Sequence, residues 1–189
     1  MVNSVSYLID LRDQDERAVL RLCTLTDLPA LYAFQLETYM IGEDRSTYCP
    51  LQQDEWQAIL TEYGEVWALY DADKMIGFRV FYFPMDKPDN LGRDLNLNVY
   101  EQMKVMHLEA CMVHPAYRGQ RLHVRMTRAA LKLSTRAASF RYICATVDPA
   151  NQPSLRNLQE LGLRSYGLRS KYNGRQRYMM MLDRMQERT

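Results

Sequence analysis

The sequence lacks long apolar runs, a leader segment and an excess of charge of one sign. No stretch of its 189 residues approaches the roughly 20 apolar positions of a membrane-spanning helix. Residues 1–17 lack the basic start and apolar run of a signal peptide. Lysine and arginine number 24 against 23 acidic residues, a formal net charge of +1, which argues against the broad basic surface that binds nucleic acid. We therefore expect a soluble protein that needs neither a membrane nor a nucleic-acid partner.

Cysteines are also few, and they are scattered. None belongs to a C-x-x-C pair, and the four are Cys23, Cys49, Cys111 and Cys144. Three of them lie in or beside apolar runs, where a free thiol behaves as a small hydrophobic group. This usage indicates a reduced, cytoplasmic protein without a disulfide framework.

The order of the expected elements indicates a mixed α/β protein of the α+β type. Strands are predicted at 18–24, 65–70, 75–84, 105–113 and 142–147, with two more between 164 and 184 around an Asn-Gly turn. Helices are predicted at 26–38, 51–63, 120–138 and 153–161. We expect one domain over 18–184, with a mixed central sheet of about six to seven strands and helices on both faces. Residues 1–17 are predicted to be a polar arm and 185–189 a short tail.

The strand 105–113 carries the first chemistry. Alternation predicts one apolar face, formed by Met106, Leu108, Ala110 and Met112. The opposite face holds His107 and Glu109, roughly 7 Å apart at ~3.3 Å per residue, and both can move protons. An ion pair or a solvated sheet face is the alternative interpretation. A zinc site with Cys111 and His114 is disfavoured, because strand neighbours two apart rarely complete a tetrahedral ligand set.

The start of the following helix is a predicted anion site. Pro115 ends the strand pairing, and Gly119 allows a close turn of the backbone. The first N–H groups of a helix lack partners inside it, and the helix dipole adds partial positive charge. With Arg118 and Arg121 nearby, this helix start suits a pyrophosphate group.

Two segments resemble motifs of the GNAT superfamily of N-acetyltransferases. Val113-x-Pro115-x-Tyr117-Arg118-Gly119 before an amphipathic helix resembles the cofactor motif Q/R-x-x-G-x-G/A. Arg118 fits that motif, whereas Arg121 and His123 replace its two later small residues. The run from Asn151 through Ser154 to Gly162-Leu163 resembles the family's second pattern, N-x-x-A/S followed by a helix and G-F. The resemblance extends over residues 18–183.

The resemblance implies an acetyl-CoA-dependent N-acetyltransferase of the single-domain GNAT fold, with no metal. The acceptor is expected to be a primary amine of a small molecule or peptide that attacks directly in a ternary complex. The implied cofactor contacts are Cys111, Met112, Val113, Arg118, Gly119, Gln120, Arg121, Leu122, His123, Asn151 and Ser154. The implied general base is Glu109 or His107. Glu109 is preferred because a carboxylate also attracts a cationic amine.

The sequence leaves the general acid, the acceptor and the alternative functions open. Leu158 occupies the position of the tyrosine that usually serves as general acid in the family. Tyr172 is the candidate replacement, ahead of Tyr166 and Tyr178, and protonation of the thiolate by water is the alternative. Glu37, Glu43, Asp44 and Asp54 are a possible acidic mouth for a polyamine, an aminoglycoside or a basic peptide. A non-catalytic acyl-CoA sensor is the alternative function, and a domain that binds no cofactor is a further one. A Cys111 nucleophile is disfavoured by its apolar neighbours. Either a monomer or a homodimer is expected.

Overall fold

The computed structural model describes residues 6–11, 17–42, 47–172 and 174–186. Its strands are β1 (Ser6–Asp10), β2 (Arg17–Leu22), β3 (Gly64–Asp71), β4 (Lys74–Tyr82), β5 (Val105–Val113), β6 (Tyr142–Val147), β7 (Arg164–Lys171) and β8 (Arg175–Asp183). Its α-helices are α1 (Leu28–Ile41), α2 (Gln53–Ala58), α3 (Val99–Gln102), α4 (Leu122–Leu133), α5 (Thr135–Ala138) and α6 (Gln152–Glu160). A π-helical turn, Ile59–Tyr63, extends α2. No helix in these ranges is long and apolar enough to cross a membrane.

The eight strands form one sheet in the order β1-β2-β3-β4-β5-β6-β8-β7. The mixed sheet was expected, and its eighth strand is β1, which pairs antiparallel with β2. Residues 6–10 of the predicted polar arm therefore belong to the sheet. Only Ile9 of β1 is buried, so its sequence carries little of the alternation that marks a strand. The rest of the arm, at 1–5 and 12–16, and residues 187–189 of the tail lie outside the described residues.

Helices cover both faces of the sheet, as expected. The face under α4 buries Leu122, Met126 and Ala130 with apolar residues of β3, β4 and β5. The opposite face packs α1 and α2 over the sheet, where Trp56 meets Phe78 edge-on at 5.1 Å between ring centroids. Burial of apolar surface on both faces stabilises the layers that frame the site.

The predicted long helix 120–138 ends at Ala138 as expected, but it starts two residues later and is broken in the middle. Its first turn begins only at Leu122, because Arg121 adopts a left-handed conformation. The helix then breaks at Ser134, whose hydroxyl accepts a hydrogen bond from the Ala137 N–H and caps α5. A serine that caps a new turn competes with continuation of the helix, and apolar spacing alone does not reveal this competition.

The segment 85–98 has no regular structure, yet it is packed against the sheet. Leu91, Leu95 and Leu97 lie over a separate apolar cluster that includes Val105 and Tyr142. The amide of Asn90 holds the segment by donating to the Met85 and Gln102 carbonyls and accepting from the Gly92 N–H. The segment thereby covers the sheet beside the start of β5.

Two irregularities in β5 shape the site. A bulge interrupts its pairing with β4, since Val80 pairs with Ala110 but Phe81 pairs with Leu108. Glu109 is the extra residue, so the predicted single apolar face is wrong. Leu108 packs with the α4 side and Ala110 with the α1 side. In addition, β5 pairs with β6 only from Val105 to His107, and the two strands then separate. The separation opens a cleft at the sheet centre.

Candidate active site

The cleft between the separated strands has a volume of about 610 Å³, within the range typical of cofactor and ligand sites. Except for Gln120, all of the residues predicted to contact the cofactor line it. They are Cys111, Met112, Val113, Arg118, Gly119, Arg121, Leu122, His123, Asn151 and Ser154. Residues far apart in sequence thus converge on one space, as their motifs predicted.

The start of α4 is shaped by two residues with positive φ. Gly119 has φ = 81°, and a Cβ added there meets nothing within 4 Å. Its glycine is therefore needed for the backbone conformation, with open space beside it. Arg121 has φ = 57°, at the motif position where the GNAT pattern has glycine. An L side chain in this conformation costs about 1–2 kcal/mol.

The side chain of Arg121 points away from the helix start. Its Nη2 donates to a carboxylate oxygen of Glu160 at the end of α6. Arg128 also contacts Glu160, donating to its main-chain carbonyl at 3.0 Å. Arg121 thus ties α4 to α6, and Arg118, whose Nε lies 3.4 Å from the Val113 carbonyl, is the nearer cation to the strand end.

His123 points into the protein toward Arg79. The Nη2 of Arg79 donates to the His123 ring at 2.9 Å, its Nε donates to Thr127 Oγ1 at 2.9 Å, and its Nη1 donates to the Ala110 carbonyl at 3.3 Å. Burial, with the charge of Arg79, holds the pKa of His123 well below 6.5, so the ring is neutral and accepts the hydrogen bond. Arg79 also lines the cleft. Sequence reasoning missed it, although an arginine inside an apolar strand was the available signal.

Asn151 and Ser154 form the start of α6. The Asn151 side-chain oxygen accepts from the Ser154 N–H at 3.0 Å, and its amide lies 3.3 Å from Thr47 Oγ1. One turn later, Leu158 is buried against the α4 side of the sheet and also lines the cleft. The position where the family motif has tyrosine is therefore an apolar wall.

His107 and Glu109 are brought together, but they have different surroundings. The Leu91 N–H donates to His107 Nε2 at 3.1 Å, so the hydrogen of the neutral ring is on Nδ1. That Nδ1 lies 3.5 Å from Glu109 Oε2. His107 is buried, whereas Glu109 lines the cleft. In this arrangement His107 orients Glu109, and the carboxylate is the group open to a substrate.

Tyr172 lines the same part of the cleft. Its hydroxyl lies 3.1 Å from Thr146 Oγ1. Loss of solvent around the hydroxyl, with the negative charge of Glu109 as a smaller cause, raises the pKa of Tyr172 to about 12. Tyr166 and Tyr178 are not among the cleft residues. Tyr48, which sequence reasoning missed, does line the cleft. Its hydroxyl donates to Gln35 at 3.2 Å, and burial raises its pKa.

The predicted acidic mouth is not assembled from the predicted carboxylates. Glu37 on α1 and Asp54 on α2 are exposed and do not line the cleft. Glu43 and Asp44 lie outside the described residues. Glu55 does line the cleft, and one of its oxygens accepts from the Gln52 N–H at 2.7 Å.

The two disfavoured chemistries find little support in the site. Within the described ranges, no group of three or more His, Cys, Asp or Glu residues is arranged to hold a metal ion. The His114 ring instead accepts from the Ala116 N–H at 3.3 Å. Burial raises the pKa of Cys111, which disfavours the thiolate that a nucleophile requires.

Comparison with known proteins gives one family and many similar folds. The model of the acetyltransferase (GNAT) domain family matches residues 17–164. No curated protein sequence matches the chain. Among solved structures, Arabidopsis thaliana NAA60 in complex with acetyl-CoA is 15% identical with a TM-score of 0.68, covering 88% of this chain and 98% of its own.

Two further solved structures show how varied proteins of this fold are. The aminoglycoside acetyltransferase AAC(6')-Ib in complex with coenzyme A and kanamycin is 18% identical with a TM-score of 0.67, covering 91% of this chain and 98% of its own. The ribosomal-protein-S18-alanine N-acetyltransferase of Escherichia coli is 17% identical with a TM-score of 0.62, covering 88% of this chain and 93% of its own. At such identities the likeness concerns the fold alone.

Proposed function

Because the chain belongs to the GNAT acetyltransferase family, whose domain model matches residues 17–164, we propose that it moves the acetyl group of acetyl-CoA to a primary amine of a small molecule or peptide. The observation that carries the proposal is the carboxylate of Glu109, which faces the cleft where β5 leaves β6. Similar folds were solved with acetyl-CoA or coenzyme A bound. Glu109 therefore lies where an amine and a thioester would meet.

The residues around the cleft fit the donor. Residues 111–113 of β5 have no pairing with β6, so main-chain groups on that side are available to the pantetheine arm. The α4 start, with Arg118 and the open turn at Gly119, suits the pyrophosphate. Asn151 and Ser154 border the same space from α6. When bound, acetyl-CoA supplies the activated acetyl group.

Glu109 acts as the general base in this proposal. An amine attacks only in its neutral form, and an ordinary amine pKa of about 10.4 lies far above the ordinary glutamate pKa of about 4.3. Glu109 first attracts the cationic amine and then accepts its proton, directly or through a water molecule. The His107 Nδ1–H directs the carboxylate at 3.5 Å. The nitrogen then forms its bond to the acetyl carbon while the carbon–sulfur bond breaks and the electron pair leaves on sulfur. The second proton of the attacking nitrogen passes to water.

Tyr172 is proposed to stabilise the leaving sulfur. A hydroxyl with a pKa of about 12 is a poor proton donor to a thiolate, whose acid has an ordinary pKa near 8.5. Tyr172 therefore donates a hydrogen bond as negative charge develops, and water completes the protonation. This division of labour replaces the tyrosine that Leu158 excludes.

The test is a transfer assay with purified protein, acetyl-CoA and a panel of amines and peptides, read by mass spectrometry and by release of free thiol. We expect acetylated product and intersecting initial-rate lines, which indicate a ternary complex. Parallel lines would indicate a covalent acetyl-enzyme and contradict direct attack.

A non-catalytic acyl-CoA sensor is the second candidate, and Leu158 in place of a tyrosine is the observation that favours it. A ligand that binds only the folded state raises its melting temperature. Acetyl-CoA that raises the melting temperature, without transfer to any amine of a broad panel, would support the sensor.

A further inference from the structure

The terminal hairpin, formed by β7 and β8, carries like charges directly opposite one another. Arg169 of β7 pairs with Arg177 of β8, and Lys171 pairs with Arg175. Residues directly opposite in an antiparallel pair share one face of the sheet. The four side chains, which we call the basic face, thus lie together. Like charges in this arrangement destabilise a hairpin unless anions lie close by.

Carboxylates of the described residues lie close to only half of the basic face. Lys171 pairs with Asp94 at 2.5 Å, and Arg177 lies 3.4 Å from Asp148. Among the described residues, no carboxylate lies within 4.0 Å of Arg169 or Arg175. From residue 161 to residue 182 the sequence contains no aspartate or glutamate. Counting the described residues alone, the basic face has an excess of positive charge.

Arg177 connects this face to the cleft. It is only 4% exposed, it lines the cleft, and its Nε has no hydrogen-bond partner in the described part of the chain. Among the described residues, its Nη1 donates to the Thr47 carbonyl at 3.0 Å, while its Nη2 contacts the sulfur of Cys49 at 3.6 Å, a weak acceptor. The Nε and Nη2 groups form an edge of the guanidinium that can bind a carboxylate through two N–H groups. Within the described ranges, this edge of Arg177 has no strong acceptor. A buried donor in this state costs free energy that a bound anion recovers.

Protection of a sheet edge is the simpler explanation for some of these charges. Cations on an edge strand discourage pairing with other chains, and Arg169 on β7 fits that role. The explanation does not extend to Arg177, because β8 pairs on both sides, with β6 and β7, and the side chain is buried. Edge protection therefore accounts for only part of the basic face.

We propose that the basic face binds an acidic segment of a polypeptide whose amine is the acceptor. The inference rests on the proposed transfer function, and it specifies the substrate class. Tyr172 connects the two sites, because the charge of Glu109 raises its pKa and the charge of Arg177 lowers it. The amine meets Glu109 in the cleft, while neighbouring carboxylates of the same chain meet Arg177, Arg175 and Arg169. A polypeptide is preferred over a nucleic acid because it combines an aliphatic amine with closely spaced carboxylates.

Binding is tested without transfer, using a fluorescein-labelled peptide of alternating glutamate and serine whose amino terminus is blocked. Fluorescence anisotropy should show saturable binding to the full-length protein that weakens with added salt. The double substitution Arg169→Gln with Arg175→Gln should weaken binding about ten-fold, from the loss of two partly exposed charge pairs. Two control variants should leave binding nearly unchanged. They are Arg169→Lys, which keeps the charge, and Lys132→Gln, at an exposed position of α4.

Transfer is then measured with two peptides that differ only in whether glutamate or glutamine follows the amino-terminal residue. We expect a higher kcat/KM for the acidic peptide, and a preference that disappears in the double variant. Equal use of both peptides, or equal losses for both, would overturn the proposal while leaving the transfer function intact. Binding of the blocked peptide without transfer to any amine would instead overturn the transfer function and keep the docking site.

A single-stranded oligonucleotide serves as the competing polyanion. If it displaces the acidic peptide at lower concentration, and its own binding is lost in the double variant, the basic face binds nucleic acid and the polypeptide proposal is wrong. If instead the oligonucleotide displaces the peptide only weakly, and Lys132→Gln reduces this displacement as much as the double variant does, the attraction of the oligonucleotide is nonspecific. That result supports the proposal.

Discussion

The two halves of the cleft are built from different materials. The proposed donor half consists of the starts of α4 and α6 and the end of β5, whose main-chain groups have no partners on β6. The acceptor half consists of side chains, among them Glu109, Tyr172 and Arg177, set on elements far apart in sequence. Main-chain contacts depend on short local sequence signals, such as glycine, proline and a helix cap. Side-chain chemistry needs the whole fold to bring its members together.

The largest effect is expected in the acceptor half. Glu109→Gln removes the base while keeping the size of the side chain, and general-base catalysis contributes typically about 10²–10⁴-fold. We expect kcat to fall about a thousand-fold. The Kd for acetyl-CoA, measured by calorimetry, should not change, because the donor half is untouched. A matching loss of acetyl-CoA affinity would show that the two halves are not separable.

A smaller effect is expected from the residue behind the base. His107→Phe keeps a ring but loses the acceptor for the Leu91 N–H and the Nδ1–H facing Glu109. We expect kcat to fall about thirty-fold at unchanged KM for acetyl-CoA, since misplacement of a catalytic group costs up to about 10²-fold. The pH at which kcat rises should also shift, because the partner of the base has changed. A purely structural role would lower the melting temperature with no shift of the pH profile.

The sequence predicted several backbone features of the proposed donor half, for these physical reasons. Gly119 and Asn151 each meet a backbone requirement, and nearly all of the expected contacts line the cleft. It did not predict that Glu109 is the extra residue of a bulge, because a bulge depends on pairing with β4. Arg79 was missed because its partners on α4 and β5 are 31 to 48 residues away. Glu37 and Asp54 were wrongly expected to line the cleft, because exposed carboxylates carry no signal of where they point.

In the donor half, His123 gives a pH-dependent contribution to stability. Its pKa is lowered by burial, so below pH 6.5 the unfolded chain binds a proton that the folded protein does not. Stability should therefore be unaffected by this group above about pH 7 and should fall between pH 6.5 and pH 5, by up to about 1.4 kcal/mol per pH unit. Urea denaturation across this range measures the slope.

His123→Ala restores the small residue of the GNAT motif and serves as the comparison for that slope. The variant loses the titrating ring, so its free energy of unfolding should fall less steeply over the same pH range. Parallel pH curves for the two proteins would mean that His123 is protonated equally in both states.

The smallest effect is expected at the α4 start. Arg121→Gly relieves a strain of about 1–2 kcal/mol from positive φ, and it removes an exposed ion pair with Glu160 that is worth about 0–1 kcal/mol. We expect the free energy of unfolding to rise by about 0–2 kcal/mol, and acetyl-CoA binding to be no weaker than before. Substantially weaker binding would show that the side chain contacts the donor, in contrast to its position beside Glu160.

The central claim is that both halves serve one transfer, with Glu109 as the base. It is tested most directly by incubating the wild-type protein and Glu109→Gln with acetyl-CoA and the acidic peptide, then measuring product and bound donor in the same samples. We expect equal donor binding, with acetylated peptide and free coenzyme A in equal amounts from the wild type and almost none from the variant. Equal product from both proteins would contradict it.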